Sequence, residues 1–264
     1  MQVKDVISAI ESFAPPALQE SWDNTGLQTG DPEARCTGVL ICLDPTEQVV
    51  AEAVSRGCNL VVSHHPLLFR GLKHITGATP VERTVVAAIR AGVAIYSSHT
   101  ALDSARGGVS YAIARSLGAQ VESVLHPAPG APAGAGEGLG VVAVFPEPLS
   151  VDEFAARVKQ ACGAEVLRCT APVPGLAISR IAVCGGAGGE FIPDAVAARA
   201  DAYLTADVRY HDFAEWADRI FIVDAGHYET ESCTKMLFMQ LIKEKFANFA
   251  VYISATEKNP INYL

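Results

Sequence analysis

The stretch Leu60-Val61-Val62-Ser63-His64-His65-Pro66 decides how this chain is read. Three aliphatic residues in a row, two of them β-branched, describe a short strand covered on both faces. Proline stops it, and two neighbouring imidazoles sit at its carboxyl end. Successive side chains of a regular strand point to opposite faces. Both rings can therefore address one cleft only where the strand is ending, which is where Pro66 places them.

Working outward, similar runs at 38–43, 94–97, 140–144, 181–184, 202–204 and 220–223 read as further strands. Helical patterns lie between them. Thr79-Pro80-Val81-Glu82 combines an N-cap threonine, a first-turn proline and a capping-box glutamate. Ser150 and Glu153 do the same for a helix through residue 160, and Asp44 with Glu47 reads as a capping-box variant for a helix through residue 54. Amphipathic helices are expected at 1–13 and 229–246. Strand–helix alternation of this kind implies an α/β architecture with largely parallel pairing. The Pro/Gly/Ala-rich segment 127–138, PAPGAPAGAGEG, has little side-chain bulk to pack and reads as a linker or loop.

Composition narrows the function. Half the chain is hydrophobic and 19% is charged, so it can bury a core. The net charge of -9 argues against bulk attraction to nucleic acid or anionic lipid. No stretch approaches the roughly 20 apolar residues that cross a bilayer. The start lacks a basic-then-apolar signal pattern, so a cytoplasmic location is expected. Cys36, Cys42, Cys58, Cys162, Cys169, Cys184 and Cys233 form no CxxC pair, and an odd count among apolar neighbours reads as reduced, buried thiols.

Ligands of open α/β sheets bind beyond the carboxyl ends of strands. Three such ends carry metal-type side chains: His64 and His65, then His99 and Asp103, then His227 and Glu231. Imidazole with carboxylate suits Zn, Mn, Fe and related divalent ions. His227 and Glu231 are spaced i, i+4 and point the same way on a helical turn; His99 and Asp103 share that spacing. Four histidines and two carboxylates exceed the needs of one four-coordinate ion. Asp103 and Glu231 are candidates to bridge two ions about 3.5–4 Å apart. Each pair alone has a plain structural reading: a polar strand end, a helix cap, an exposed helix pair. All three coinciding by chance is the less economical account. Asp207 and His211, at a fourth strand end, are candidates for outer contacts to the ligands or for substrate binding, against a helix cap and a surface histidine. The glycine run 185–189 reads as a tight strand–helix turn rather than a dinucleotide fingerprint. No GxSxG, Walker A or cysteine-nucleophile pattern is present in the sequence.

Four ordered blocks, SWDNTGLQ (21–28), SHHPLLF (63–69), SSHTALD (97–103) and GHYETE (226–231), resemble the signature blocks of the Nif-three-like family, the GTP cyclohydrolase 1 type 2 homologs or dinuclear metal-centre proteins. The match extends to the NPINY tail at 259–263. The resemblance implies two α/β domains with mixed or largely parallel sheets and a metal cleft between them. The first would comprise 1–120 plus 235–264 and the second 121–234, without the inserted middle domain of longer relatives. It implies two divalent ions per chain (Zn, Fe or Mn) on His64, His65, His99, Asp103, His227 and Glu231, and a toroidal homohexamer. This chain departs from the family pattern at Ala101 and at Ser110-Tyr111. The combined reading is a metal-dependent hydrolase acting on a small phosphorylated or nucleotide-like molecule. The alternative is a non-catalytic metal-binding, metal-delivery or regulatory scaffold.

Overall fold

Aliphatic runs form the middle strands of two separate sheets. The computed structural model describes residues 1–132 and 134–264, grouped as two units. One comprises Met1–Leu102 with Thr234–Asn262, the other Asp103–Cys233 with Tyr263–Leu264.

The sheet of the first unit has the order β1-β4-β3-β2-β11, with β1 Gly26–Thr29, β2 Val39–Cys42, β3 Leu60–Ser63, β4 Ala94–Ser97 and β11 Val251–Ile253. Its pairings are parallel except for the antiparallel edge strand β1. Strands β2, β3 and β4 are buried along their whole length, as continuous apolar runs require. Leu40, Val61 and Ile95 pack against Val49, Ala53, Val85 and Ala88 of helices α2 (Glu47–Ser55) and α3 (Pro80–Ala91). Helices α1 (Val3–Glu11) and α10 (Thr234–Lys245) complete the unit, and α4 (Thr100–Ser104) follows β4 directly.

The second sheet has the order β5-β6-β8-β9-β10-β7: β5 Gln120–Pro127, β6 Gly138–Ser150, β7 Arg168–Cys169, β8 Ala177–Ala187, β9 Ala202–Ala206 and β10 Phe221–Asp224. Among the described residues, only β8–β9 and β9–β10 of this sheet are parallel. The sheet is therefore mixed, because β5 and β6, neighbours in the chain, pair antiparallel and need no crossover helix. Its core gathers Val142, Ala182, Tyr203 and Ile222 against Ile192 and Ala195 of α7 (Ile192–Ala197). The other helices are α5 (Val109–Ser116), α6 (Val151–Cys162), α8 (Tyr210–Trp216) and α9 (His227–Glu231).

Several local expectations change. The helix expected at 229–246 is two helices, α9 and α10. The Ser232 hydroxyl donates to the Glu229 carbonyl at 3.1 Å and Cys233 Sγ to that of Thr230 at 3.7 Å, local bonds that compete with helix continuation. Helix α2 is capped by Thr46, whose hydroxyl accepts from Val49 N at 3.3 Å, and not by Asp44. The glycine run at 185–189 is not a strand–helix turn at its start: β8 continues through Ala187. Among the described residues, no helix is long and apolar enough to cross a membrane.

Candidate metal centre

His64 and His65 leave β3 with their rings on one side. Ladder bonds persist past the strand end, from His64 N to the Cys42 carbonyl (3.3 Å) and from His65 N to that of Leu43 (3.0 Å). The Ser63 hydroxyl donates to the His65 carbonyl at 2.9 Å and so receives the proton of Ser97 Oγ, 2.8 Å away. That bond bends the chain where strand alternation would separate the rings. Their centroids lie 5.2 Å apart, and the His99 ring stands 5.2 Å from His64 and 5.4 Å from His65. The three residues each offer a ring nitrogen, and these atoms lie within 4.8 Å of one another.

Oxygen acceptors lock each ring. His64 Nδ1 meets the Ser98 carbonyl at 3.0 Å, which can only accept, so Nδ1 carries the proton. His65 Nδ1 donates to Asp44 at 2.8 Å and His99 Nδ1 to Asp23 at 2.9 Å. The tautomer so fixed presents Nε2 as the coordinating atom. Burial penalises charge on Asp23, but the bonds from His99 and Thr100 outweigh it and hold its carboxyl well below the usual range. Asp44 is itself held in place: Glu257 accepts from Leu43 N (2.6 Å) and Asp44 N (2.7 Å), and pairs with Lys235 at 3.0 Å.

In the second unit, α9 presents His227 and Glu231 one turn apart, with Nε2 and a carboxylate oxygen 3.0 Å apart. His227 Nδ1 donates to Asp207 at 2.8 Å. Asp207 has φ 54, a left-handed conformation that Asp tolerates better than most residues and that here accompanies the turn after β9. Burial disfavours protonated His227, yet the carboxylates of Glu231 and Asp207 push it up to about 9. This corner of the protein favours positive charge. Buried Glu231 lies against Gly186 of β8, whose φ of +67 and missing side chain leave it room. Gly186 is pinned in turn: its N–H donates to Thr230 Oγ1 at 3.0 Å, and its carbonyl accepts from Thr205 Oγ1 at 3.1 Å. Asp103 lies on α4. Burial raises the Cys184 and Cys233 thiols, and the charges of Asp103 and Glu231 raise both further. His211 is exposed on α8, edge-on to Tyr210 at 5.4 Å.

The donor set, imidazoles with oriented Nε2 atoms plus carboxylates, fits a borderline divalent cation. Comparison with known proteins gives the family. The family model for Duf34/NIF3 (NGG1p interacting factor 3) matches residues 1–260. The chain belongs to the DUF34/NIF3 family. A Clostridium perfringens relative named GTP cyclohydrolase 1 type 2 homolog is 32% identical over the full length of both chains. One of the same name from Lactococcus lactis is 34% identical over 98% of each. The crystal structure of a Bacillus cereus protein related to NIF3 superposes with a TM-score of 0.91 at 25% identity, covering 100% of this chain and 99% of that one.

The sequence of this DUF34/NIF3 chain points to the candidate ligands more readily than to their supports. Asp44 was legible only as a helix cap, and Asp23 only as part of the block at 21–28. Asp23 caps α4, accepting from Thr100 N at 3.0 Å, while its other oxygen takes the histidine. Asp44 stands at a strand end, the same signal that singled out the histidines. The departure at Ser110 has a structural role, since its hydroxyl accepts from Gly185 N at 3.2 Å in the glycine turn beside Glu231.

Proposed function

We propose that His64, His65, His99, Asp103, His227 and Glu231 converge on one dinuclear centre. We propose further that the chain is a metal-dependent hydrolase of small phosphorylated or nucleotide-like molecules. The observation that carries this reading is the triad of imidazoles with neighbouring nitrogens, each Nδ1 held by an oxygen acceptor. A histidine kept only for packing needs no such uniform orientation. Two bound Zn, Fe or Mn ions would supply Lewis-acid polarisation of a phosphoryl or ring carbon and activation of water. The protein's own part is to fix Nε2 orientation through Asp23, Asp44, Asp207 and the Ser98 carbonyl. It also seats Glu231 in its glycine cradle and offers Asp103 and Glu231 as the anionic members of the set.

The name carried by the relatives puts cleavage of the GTP ring among the reactions to try. Elemental analysis of purified protein gives the metal-to-chain ratio, expected near two. Turnover of a nucleotide and phosphodiester panel with added Mn or Zn is then compared with a His64→Ala/Glu231→Ala variant. Equal, negligible rates in both would end the hydrolase reading for those substrates. A toroidal homohexamer is part of the proposal, and native mass with and without a chelator tests it.

A further inference from the structure

Trp22 and Phe69 are 57% and 50% exposed, although both are large apolar side chains. Their rings lie 5.7 Å apart at 43°. Each also borders the His99 imidazole, at 5.8 Å and 6.0 Å. Neither position is loose. Asn24 Nδ2 donates to the Leu68 carbonyl at 2.7 Å, and Leu68 N donates to Gln28 Oε1 at 3.1 Å, stitching the residue before Phe69 to the segment after Trp22. Asp23, next to Trp22, grips His99. The chain thus holds two aromatic faces rigidly in solvent beside the candidate triad, a cost that packing does not explain. The local charge is also unusual. In a chain of net charge -9, residues 57–81 contain no Asp or Glu, and exposed Arg70 and Lys73 lie one and four residues after Phe69.

Building on the metal-centre reading, we propose that Trp22 and Phe69 form a shelf that stacks the planar heteroaromatic ring of a phosphorylated substrate next to the triad. Every base has a π-face, so stacking selects for a ring without demanding one base. The cationic stretch beyond Phe69 suits the phosphate of such a molecule.

The test uses full-length protein carrying Trp216→Phe, which leaves Trp22 as the sole tryptophan of the two in the chain. Adenosine and guanosine 5′-monophosphates should quench its fluorescence, and ribose 5-phosphate should not. By calorimetry on otherwise unaltered protein, Trp22→Ala should weaken mononucleotide binding about tenfold, the worth of one stacked ring, while Trp22→Phe retains most of it. Metal content should stay at the wild-type value in both. Equal quenching by ribose 5-phosphate, or unchanged affinity in Trp22→Ala, would overturn the shelf. So would a change in particle mass with nucleotide affinity intact, which would assign the surface to self-association. Nucleotide quenching in a protein that takes up no metal would sink the metal-centre reading and leave the shelf standing.

Discussion

The His99 imidazole and the Asp23 carboxylate meet at 2.9 Å, and the second oxygen of Asp23 holds Thr100 N at 3.0 Å. One fully buried carboxylate therefore orients a candidate ligand and starts the helix that carries Asp103. Asparagine cannot do both, because its amide nitrogen has no lone pair for the Thr100 donor. Asp23→Asn is expected to weaken metal binding about 10- to 100-fold, the usual effect of losing such a partner. Competition against a calibrated chelator measures it, and an unchanged affinity would remove Asp23 from the site.

Metal should stabilise the fold. A ligand bound only by the native state at a hundred times its dissociation constant adds about 2.7 kcal/mol. For a chain of this size that corresponds to roughly 5–10 °C in Tm. Adding Mn or Zn to chelator-treated protein should raise the melting temperature by that amount. The His64→Ala/Glu231→Ala variant should show little shift, and an equal shift in both would place the stabilising ion elsewhere.

The strands bearing candidate ligands were legible because their apolar runs are buried on both faces and end abruptly. Leu60–Ser63 and Ala94–Ser97 have the bounds expected from sequence. Strands β1, β5, β7 and β11 were not legible. Gly26–Thr29 has no apolar run, Arg168–Cys169 is too short to show a pattern, and Val251–Ile253 is only three residues long. Gln120–Pro127 is largely solvent-facing. Their pairing is decided by tertiary neighbours rather than by local preference. The candidate ligands share a chemistry that sequence displays directly. The roles of Asp44 and Gly186 depend on what lies across the fold, at His65 and Glu231, and spacing carries no trace of that.

Glu52 ties the end of β11 to α2 in the first unit. Its carboxylate accepts from Ala255 N, Thr256 N and the hydroxyls of Ser254 and Thr256, and pairs with Arg56 at 2.8 Å. Burial alone would raise its pKa, but these donors bring it from 4.5 to about 2. A carboxyl depressed in the folded state adds stability that is fully present above the unfolded value of 4.5 and is lost as pH falls toward about 2. Glu52→Gln is expected to cost about 2 kcal/mol at neutral pH, the scale of charge-assisted bonds. The gap between wild type and variant should close as the pH of denaturant titrations drops from 5 toward about 2. A gap independent of pH would mean that shape, not charge, holds the strand.

Gly186 tests whether Glu231 must sit where it does. At φ +67 an added Cβ is strained, and it would also overlap Glu231 Oε1. Of the two partners, the glycine is the less free to yield, since Thr230 and Thr205 bond its N–H and carbonyl at 3.0 and 3.1 Å. The carboxylate must therefore move. Gly186→Ala is expected to cost about 1–3 kcal/mol in stability from strain at this conformation. It should also cut the metal-to-chain ratio, whereas Gly163→Ala, at a comparable φ of +68 with open space around its missing Cβ, should lose stability alone. The contrast separates backbone strain from displacement of a ligand. If both variants keep full metal content, Glu231 is not required for binding, and the carboxylate half of the proposed centre has to be sought elsewhere.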